Sequence, residues 1–138
     1  MEHQNLLYKR ENYKIVGICM EVHRILGSGL LEIVYKDALE YEFKLLGIPY
    51  EREKEYSIDY KGTILPHKFY ADFVVYGNII LEVKALNGLI DVHIAQTINY
   101  VKLAKSQLGI LVNFGSSSLQ YKRLIVWYLV ASHFFAII

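Results

Sequence analysis

The chain has one cysteine, Cys19, and only two prolines among its 138 residues. A single thiol excludes an internal disulfide and fits a reducing, cytoplasmic compartment. Cys19 lies in an apolar helical pattern and reads as a small core residue. So little proline, beside 54% hydrophobic and 14% aromatic residues, argues against disorder. An excess of either charge is also missing, since the formal net charge is +1. That is not the balance of a tight, non-specific nucleic-acid binder, so any such contact must rest on a local patch. The opening Met1-Glu2-His3-Gln4-Asn5 is polar and shows no signal peptide. The one membrane-like run, Leu124 to Ile138, has fifteen residues including Ser132 and His133. It falls short of the roughly 20 that span a bilayer, so no membrane partner is expected. Repeats and low-complexity tracts are absent. The reading is a single domain over residues 1–138, with a polar lead-in at 1–10 and an apolar tail at 128–138.

What is present is concentrated in Phe69 to Ala85, two short apolar strands joined at Gly77-Asn78. Glu82 and Lys84 share a face by strand alternation. Phe69, Ala71, Phe73 and Val75 are expected on one face of the first strand, matched by Ile79, Leu81 and Val83 on the second. Asp72 joins Glu82 and Lys84 on the other face only if the register allows it. A two-residue loop would set Asp72 opposite Val83. A three-residue loop, Tyr76-Gly77-Asn78, or a bulge sets it opposite Glu82, and this odd-length solution is predicted. Two facing carboxylates repel unless a positive charge sits between them. Such hard oxygen ligands suit magnesium or manganese, and a lysine one step along can steer water or neutralise phosphate charge. The alternative is a solvated hairpin face carrying an ordinary Glu82–Lys84 pair.

Around this hairpin the periodicity predicts an α-α-β-β-β-β-α-β-β order. A helix over Glu11–Leu26 carries Ile15, Ile18, Cys19, Val22, Ile25 and Leu26 inward. After Gly27-Ser28-Gly29, a second helix over Leu31–Leu46 has Leu31, Tyr35, Ala38, Leu39 and Leu46 as its core side. Glu32 lies in its first turn, where an acid also suits the helix dipole. Tyr50–Tyr60 reads as a charged edge strand, Thr63–Leu65 as a further extended piece, and His67 as a surface residue. A helix over Asp91–Lys105 sets Ile94, Ile98 and Val101 inward, with His93, Gln96 and Tyr100 on a separate side. Gly109–Phe114 is a continuous apolar, buried strand, and Tyr121–Trp127 is the last strand. The expected fold class is α/β, a mixed central sheet flanked by helices, with a right-handed crossover into a parallel neighbour.

Four blocks then carry a resemblance. Gly29-Leu-Leu-Glu32-Ile-Val-Tyr35 resembles the Gly-x-x-Glu-x-x-Tyr signature of the GxxExxY protein family. Asp72…Glu82-Val83-Lys84 is similar to the core of the PD-(D/E)XK nuclease superfamily, to which that family is assigned. His93-Ile-Ala-Gln96-Thr-Ile-Asn-Tyr100 resembles the Gln-x-x-x-Tyr helix motif of several branches, and Gly109 to Gly115 resembles the apolar strand that follows. The matches run in family order from about Tyr13 to Val126. Ala71 stands at the nominal proline, and the segment from Trp127 onward has no counterpart. The resemblance implies a restriction-endonuclease-like core and a nuclease acting on DNA or RNA with Mg2+ or Mn2+. Asp72, Glu82 and the Val83 backbone carbonyl would bind metal. Glu32 would add a carboxylate to the metal shell or act on the water. Lys84 would position or activate that water. Gln96 and Tyr100 would line the site and contact phosphate, with His93 and Tyr35 as further substrate contacts. The competing readings are a non-catalytic nucleic-acid- or protein-binding domain of the same fold, and an oligomerisation domain using its apolar tail. A homodimer is consistent with that tail.

Overall fold

The computed structural model describes residues 8–128 and 134–137. Helix α1 (Lys9–Leu26) buries Ile15, Val16, Ile18, Cys19 and Val22. Ile25, expected on the same stripe, is exposed in the last turn before Gly27. Burial pushes the Cys19 thiol up to about 12, so it stays a protonated core residue. Helix α2 (Glu32–Leu46) buries Tyr35, Leu39 and Phe43, spaced four apart, together with Lys36. Leu31 and Leu46, both expected inside, are exposed. Leu31 is the N-cap, and past Leu46 the left-handed turn at Gly47 (φ 67) brings Ile48 into the core instead.

The strands are β1 (Tyr50–Tyr56), β2 (Asp59–Tyr60), β3 (Thr63–Ile64), β4 (Phe69–Val75) and β5 (Ile79–Lys84). Helix α3 (Asp91–Leu103) follows, then β6 (Leu108–Asn113), β7 (Gln120–Tyr128) and β8 (Phe134–Ile137). The predicted strand Tyr50–Tyr60 is therefore broken after Tyr56. Its end pairs locally with Thr63–Ile64 around Lys61-Gly62, where Asp59 Oδ1 accepts the Gly62 N–H at 2.8 Å. The main sheet runs β1-β4-β5-β6-β7-β8, antiparallel except for the β5–β6 pair. Helix α3 supplies the crossover between those two parallel strands, as the sequence predicts. The backbone of 134–137, in the tail without a family counterpart, pairs with Ile125–Tyr128; residues 1–7, 129–133 and 138 lie outside the described chain.

Alternation along β5 separates two cores. Ile79, Leu81 and Val83 pack with α1 and α2, while Ile80 packs with Val101 and Ile98 of α3. The hairpin loop is Tyr76-Gly77-Asn78, the odd-length solution, with Tyr76 and Gly77 both left-handed and Val75 opposite Ile79. Phe73 and Val75 share the α1/α2 core with Leu81 and Val83. Phe69 and Ala71, expected on that same face, do not. Ala71 belongs to the α3 core, and Phe69 stacks on Tyr100 of α3 at 4.8 Å.

The cause is a roll of β1 and β4. Between the pairs Arg52↔Phe73 and Lys54↔Ala71, Glu53 adopts a left-handed φ of 54. For a non-glycine residue that costs on the order of 1–2 kcal/mol. Before the roll, Arg52 reaches Asp37 and Glu40 of α2; after it, Tyr56 stacks on Phe69. Asp72 sits at the turnover, and the β4–β5 ladder ends one residue short of it, at Phe73↔Leu81.

The loop after β5 is clamped from β6. Buried Asn113 accepts the Leu86 N–H at 2.8 Å and donates to the Leu86 carbonyl at 3.0 Å, pairing like a strand residue. Two residues on, Gly115 lies so close that a Cβ would come within 2.1 Å of the Leu86 oxygen. The obstacle is backbone, so the loop itself must shift. We expect Gly115→Ala to lose about 1–3 kcal/mol of stability, read as a lowered denaturation midpoint. An unchanged midpoint would mean that the loop yields freely.

Candidate functional site

Where β4 parts from β5, backbone groups of β5 lose their partners and side chains take them up. The Val83 N–H donates to Asp72 Oδ2 at 2.8 Å. The Asp72 N–H makes a longer contact, 3.4 Å, to Glu82 Oε1. The two carboxylates thus stand together at the end of the ladder. Within a parallel pair, alternate residues bond to one neighbour. Lys84 uses its carbonyl to accept the N–H of Phe114, the residue just past β6, so Val83, one residue earlier, turns its carbonyl toward the gap beside Asp72.

Glu82 is only 3% exposed. Burial first, and then the Asp72 charge, push its carboxyl up to about 9. Without a cation it therefore holds a proton at neutral pH. Lys84 follows on the same face, half-buried, and its charge works against the rise at both Glu82 and Glu32. Glu32 opens α2 and is exposed; its carboxyl is raised by partial burial and by Asp72. Among the described residues, however, no three or more His, Cys, Asp or Glu side chains gather closely enough to hold a metal. The structure brings Asp72 and Glu82 together, and Glu32 stays in their field without closing on them.

The α3 side contributes less direct contact. Tyr100 is half-buried against Phe69, and its hydroxyl is raised by burial and then by Glu82 and Asp72. Gln96 is exposed on the same helix. His93 Nδ1 accepts the Ile90 N–H at 3.0 Å, which fixes the helix start. Tyr35 does not line the site. It is fully buried, stacks on Phe114 at 4.6 Å, donates to the Gly27 carbonyl at 2.6 Å and accepts from Leu30 N–H. Its duty is to tie down the loop before α2, and no face is left for substrate.

Two charged residues escaped the sequence reading. Lys36 of α2 is 5% exposed, and its ammonium donates to Asp72 Oδ1 at 2.9 Å and to Glu53. Burial opposes its charge, but the bonds to Glu53 and Asp72 outweigh this and its pKa is raised. A signal existed: Lys36 falls inside the buried row of α2, four residues after Glu32, where a lone lysine demands a partner. Glu53 had none, because its placement depends on the roll of β1.

The donor set fits a hard divalent cation. Two carboxylates and a carbonyl are oxygen ligands. The raised Glu82 carboxyl marks a spot where negative charge is under-compensated.

The sequence profile of the PD-(D/E)XK nuclease superfamily matches residues 9–124. Among solved structures, the crystal structure of SSO0001 is similar, with a TM-score of 0.54 and 22% identity. The match covers 87% of this chain and 61% of that one, and at this identity the likeness is one of fold. No curated protein matches the chain.

The raised Glu82 carboxyl has a consequence for the metal-free protein. Between the ordinary value of 4.5 and about 9, folded Glu82 keeps a proton that the unfolded chain releases. Raising the pH through that window therefore removes stability. In chelator, the melting midpoint should fall across it, and Glu82→Gln, which does not titrate, should flatten the decline. Equal declines in both proteins would remove Glu82 as the source.

Proposed function

Because the chain belongs to the PD-(D/E)XK nuclease superfamily, we propose that it is a divalent-metal-dependent nuclease that hydrolyses phosphodiester bonds of DNA or RNA. The observation that carries this is the Asp72–Glu82 pair at the end of the β4–β5 ladder, with Lys84 beside it. Within the superfamily we place the chain in the GxxExxY branch, on Gly29, Glu32 and Tyr35. Asp72, Glu82 and the Val83 carbonyl would hold Mg2+ or Mn2+, with Glu32 approaching when the cation is bound. Such an ion lowers the pKa of bound water and polarises a phosphoryl oxygen.

The chain's own groups do the rest. Lys84 is two residues beyond Glu82 on the same strand face, and its ammonium has no ion pair among the described residues. It is free to orient a water and to stabilise charge building on the phosphate. Tyr100, fixed by its stack on Phe69, and exposed Gln96 offer hydrogen bonds to phosphate from the α3 side. Water attacks phosphorus, the P–O ester bond breaks, and the leaving oxygen takes up a proton. The products are a phosphate monoester end and a hydroxyl end.

A second reading, a binding domain of the same fold that does not cut, is favoured by one fact: Asp72 Oδ1 is already engaged by Lys36. A homodimer remains part of the proposal through the apolar C-terminal segment.

Manganese titration by calorimetry, followed by a cleavage screen over DNA and RNA, separates these readings. We expect Asp72→Ala and Glu82→Ala to abolish metal binding and cleavage. Lys84→Met should keep metal binding and lower the cleavage rate by roughly 10²–10³-fold. Nucleic-acid binding that survives Asp72→Ala with no cleavage in the wild type would favour the second reading.

A further inference from the structure

The proposed mechanism leaves one buried charge unused. Lys36 crosses from α2 to the turnover of β4, and its ammonium lies between Asp72 Oδ1 and Glu53. Asp72 therefore serves two sides. Its Oδ2 accepts the Val83 N–H, on the β5 side where a divalent ion is proposed, and its Oδ1 accepts from Lys36, whose ammonium also reaches Glu53. Glu53, left-handed between the pairs Arg52↔Phe73 and Lys54↔Ala71, brings a further carboxylate to the same ammonium.

Two-ion phosphodiester sites hold their cations about 3.5–4 Å apart, clamping the attacking and leaving oxygens. A second ion sharing Asp72 with the first would have to use Oδ1 and would find Glu53 as its other carboxylate. That position already holds a cation, and a covalently attached one. We propose that Lys36 sets the number of divalent ions at this site, its ammonium standing between Asp72 and Glu53 in place of one ion. The inference deepens the metal-dependent reading and rests on it for Asp72 and Glu82. A lysine there is a fixed single charge with three donors, present whether or not metal is abundant. It holds Asp72 Oδ1 in place before any metal arrives.

The test counts manganese ions bound per chain in the wild type, in Lys36→Met and in Lys36→Met/Glu53→Gln, by calorimetry on the full chain. Methionine keeps the length of the side chain and removes its charge. We expect Lys36→Met to bind one ion more than the wild type, and the double variant to lose that extra ion. Equal counts in wild type and Lys36→Met overturn the inference, as does an extra ion that persists in the double variant. Because Lys36→Met leaves two carboxylates uncompensated, its melting is followed in chelator and in saturating manganese. Manganese should raise its midpoint more than that of the wild type, and a variant that stays unfolded in manganese overturns the inference. The two readings fail differently. A wild type that binds no ion, with one gained in Lys36→Met, leaves Lys36 as the excluding cation and sinks the metal-dependent function. A wild type that binds two ions does the reverse.

Discussion

The early end of the β4–β5 ladder is the constraint on which the site depends. Buried backbone groups need partners, and ending a ladder inside a sheet removes them. Here the Val83 N–H is recovered by the Asp72 carboxylate, so a side-chain acceptor at that point has a structural duty before any chemistry. The same parting of strands leaves Asp72 between both layers of helices. Lys36 reaches it from α2, and the ring of Tyr100 stacks on neighbouring Phe69 from α3. An uninterrupted ladder would have placed Asp72 and Glu82 on one covered face, beyond the reach of α2.

Charge balance follows from that geometry. Glu32, Glu53, Asp72 and Glu82 set four carboxyl groups against the two ammoniums of Lys36 and Lys84. Lys36 neutralises the side facing α2, and a proton on Glu82 relieves the buried side while no cation is present. A divalent cation would take over the second task and release that proton. The whole chain is nearly neutral and these six groups are net acidic, so the cluster by itself does not attract a polyanion, and a bound divalent cation would first have to offset its charge.

Much of this was legible in the sequence. Gly77-Asn78 and the facing acids together called for an odd loop, because only that register sets Asp72 beside Glu82, and the loop is Tyr76-Gly77-Asn78. The crossover helix and the parallel β5–β6 pair followed from the order of periodic segments. The departures along β1 and β4 share one origin. Strict alternation assumes a strand that keeps its faces, and β1 and β4 roll over at Glu53 and Asp72. Alternation therefore assigns Phe69 and Ala71 to the wrong core and leaves Glu53 as one more charge on an edge. Tyr35 departs from expectation for a different reason. Its place in a motif suggested contact with substrate, whereas its hydroxyl is taken up by the loop at Gly27 and Leu30.

Lys36 also changes what an intact acidic pair can mean. With its ammonium on Asp72, the acids are tolerated without metal, so their presence alone does not demand catalysis. Asp72 has a backbone bond to make, and Lys36 has two acids to hold. Lys84 is different: none of the hydrogen bonds or ion pairs among the described residues uses its ammonium. Its charge favours the ionised forms of Glu82 and Glu32, which leaves the ammonium itself open to substrate. A reaction in which negative charge grows on phosphate gives that ammonium a purpose. The nuclease reading therefore rests on the Asp72–Glu82 pair taken together with Lys84 beside it, and not on the acids alone.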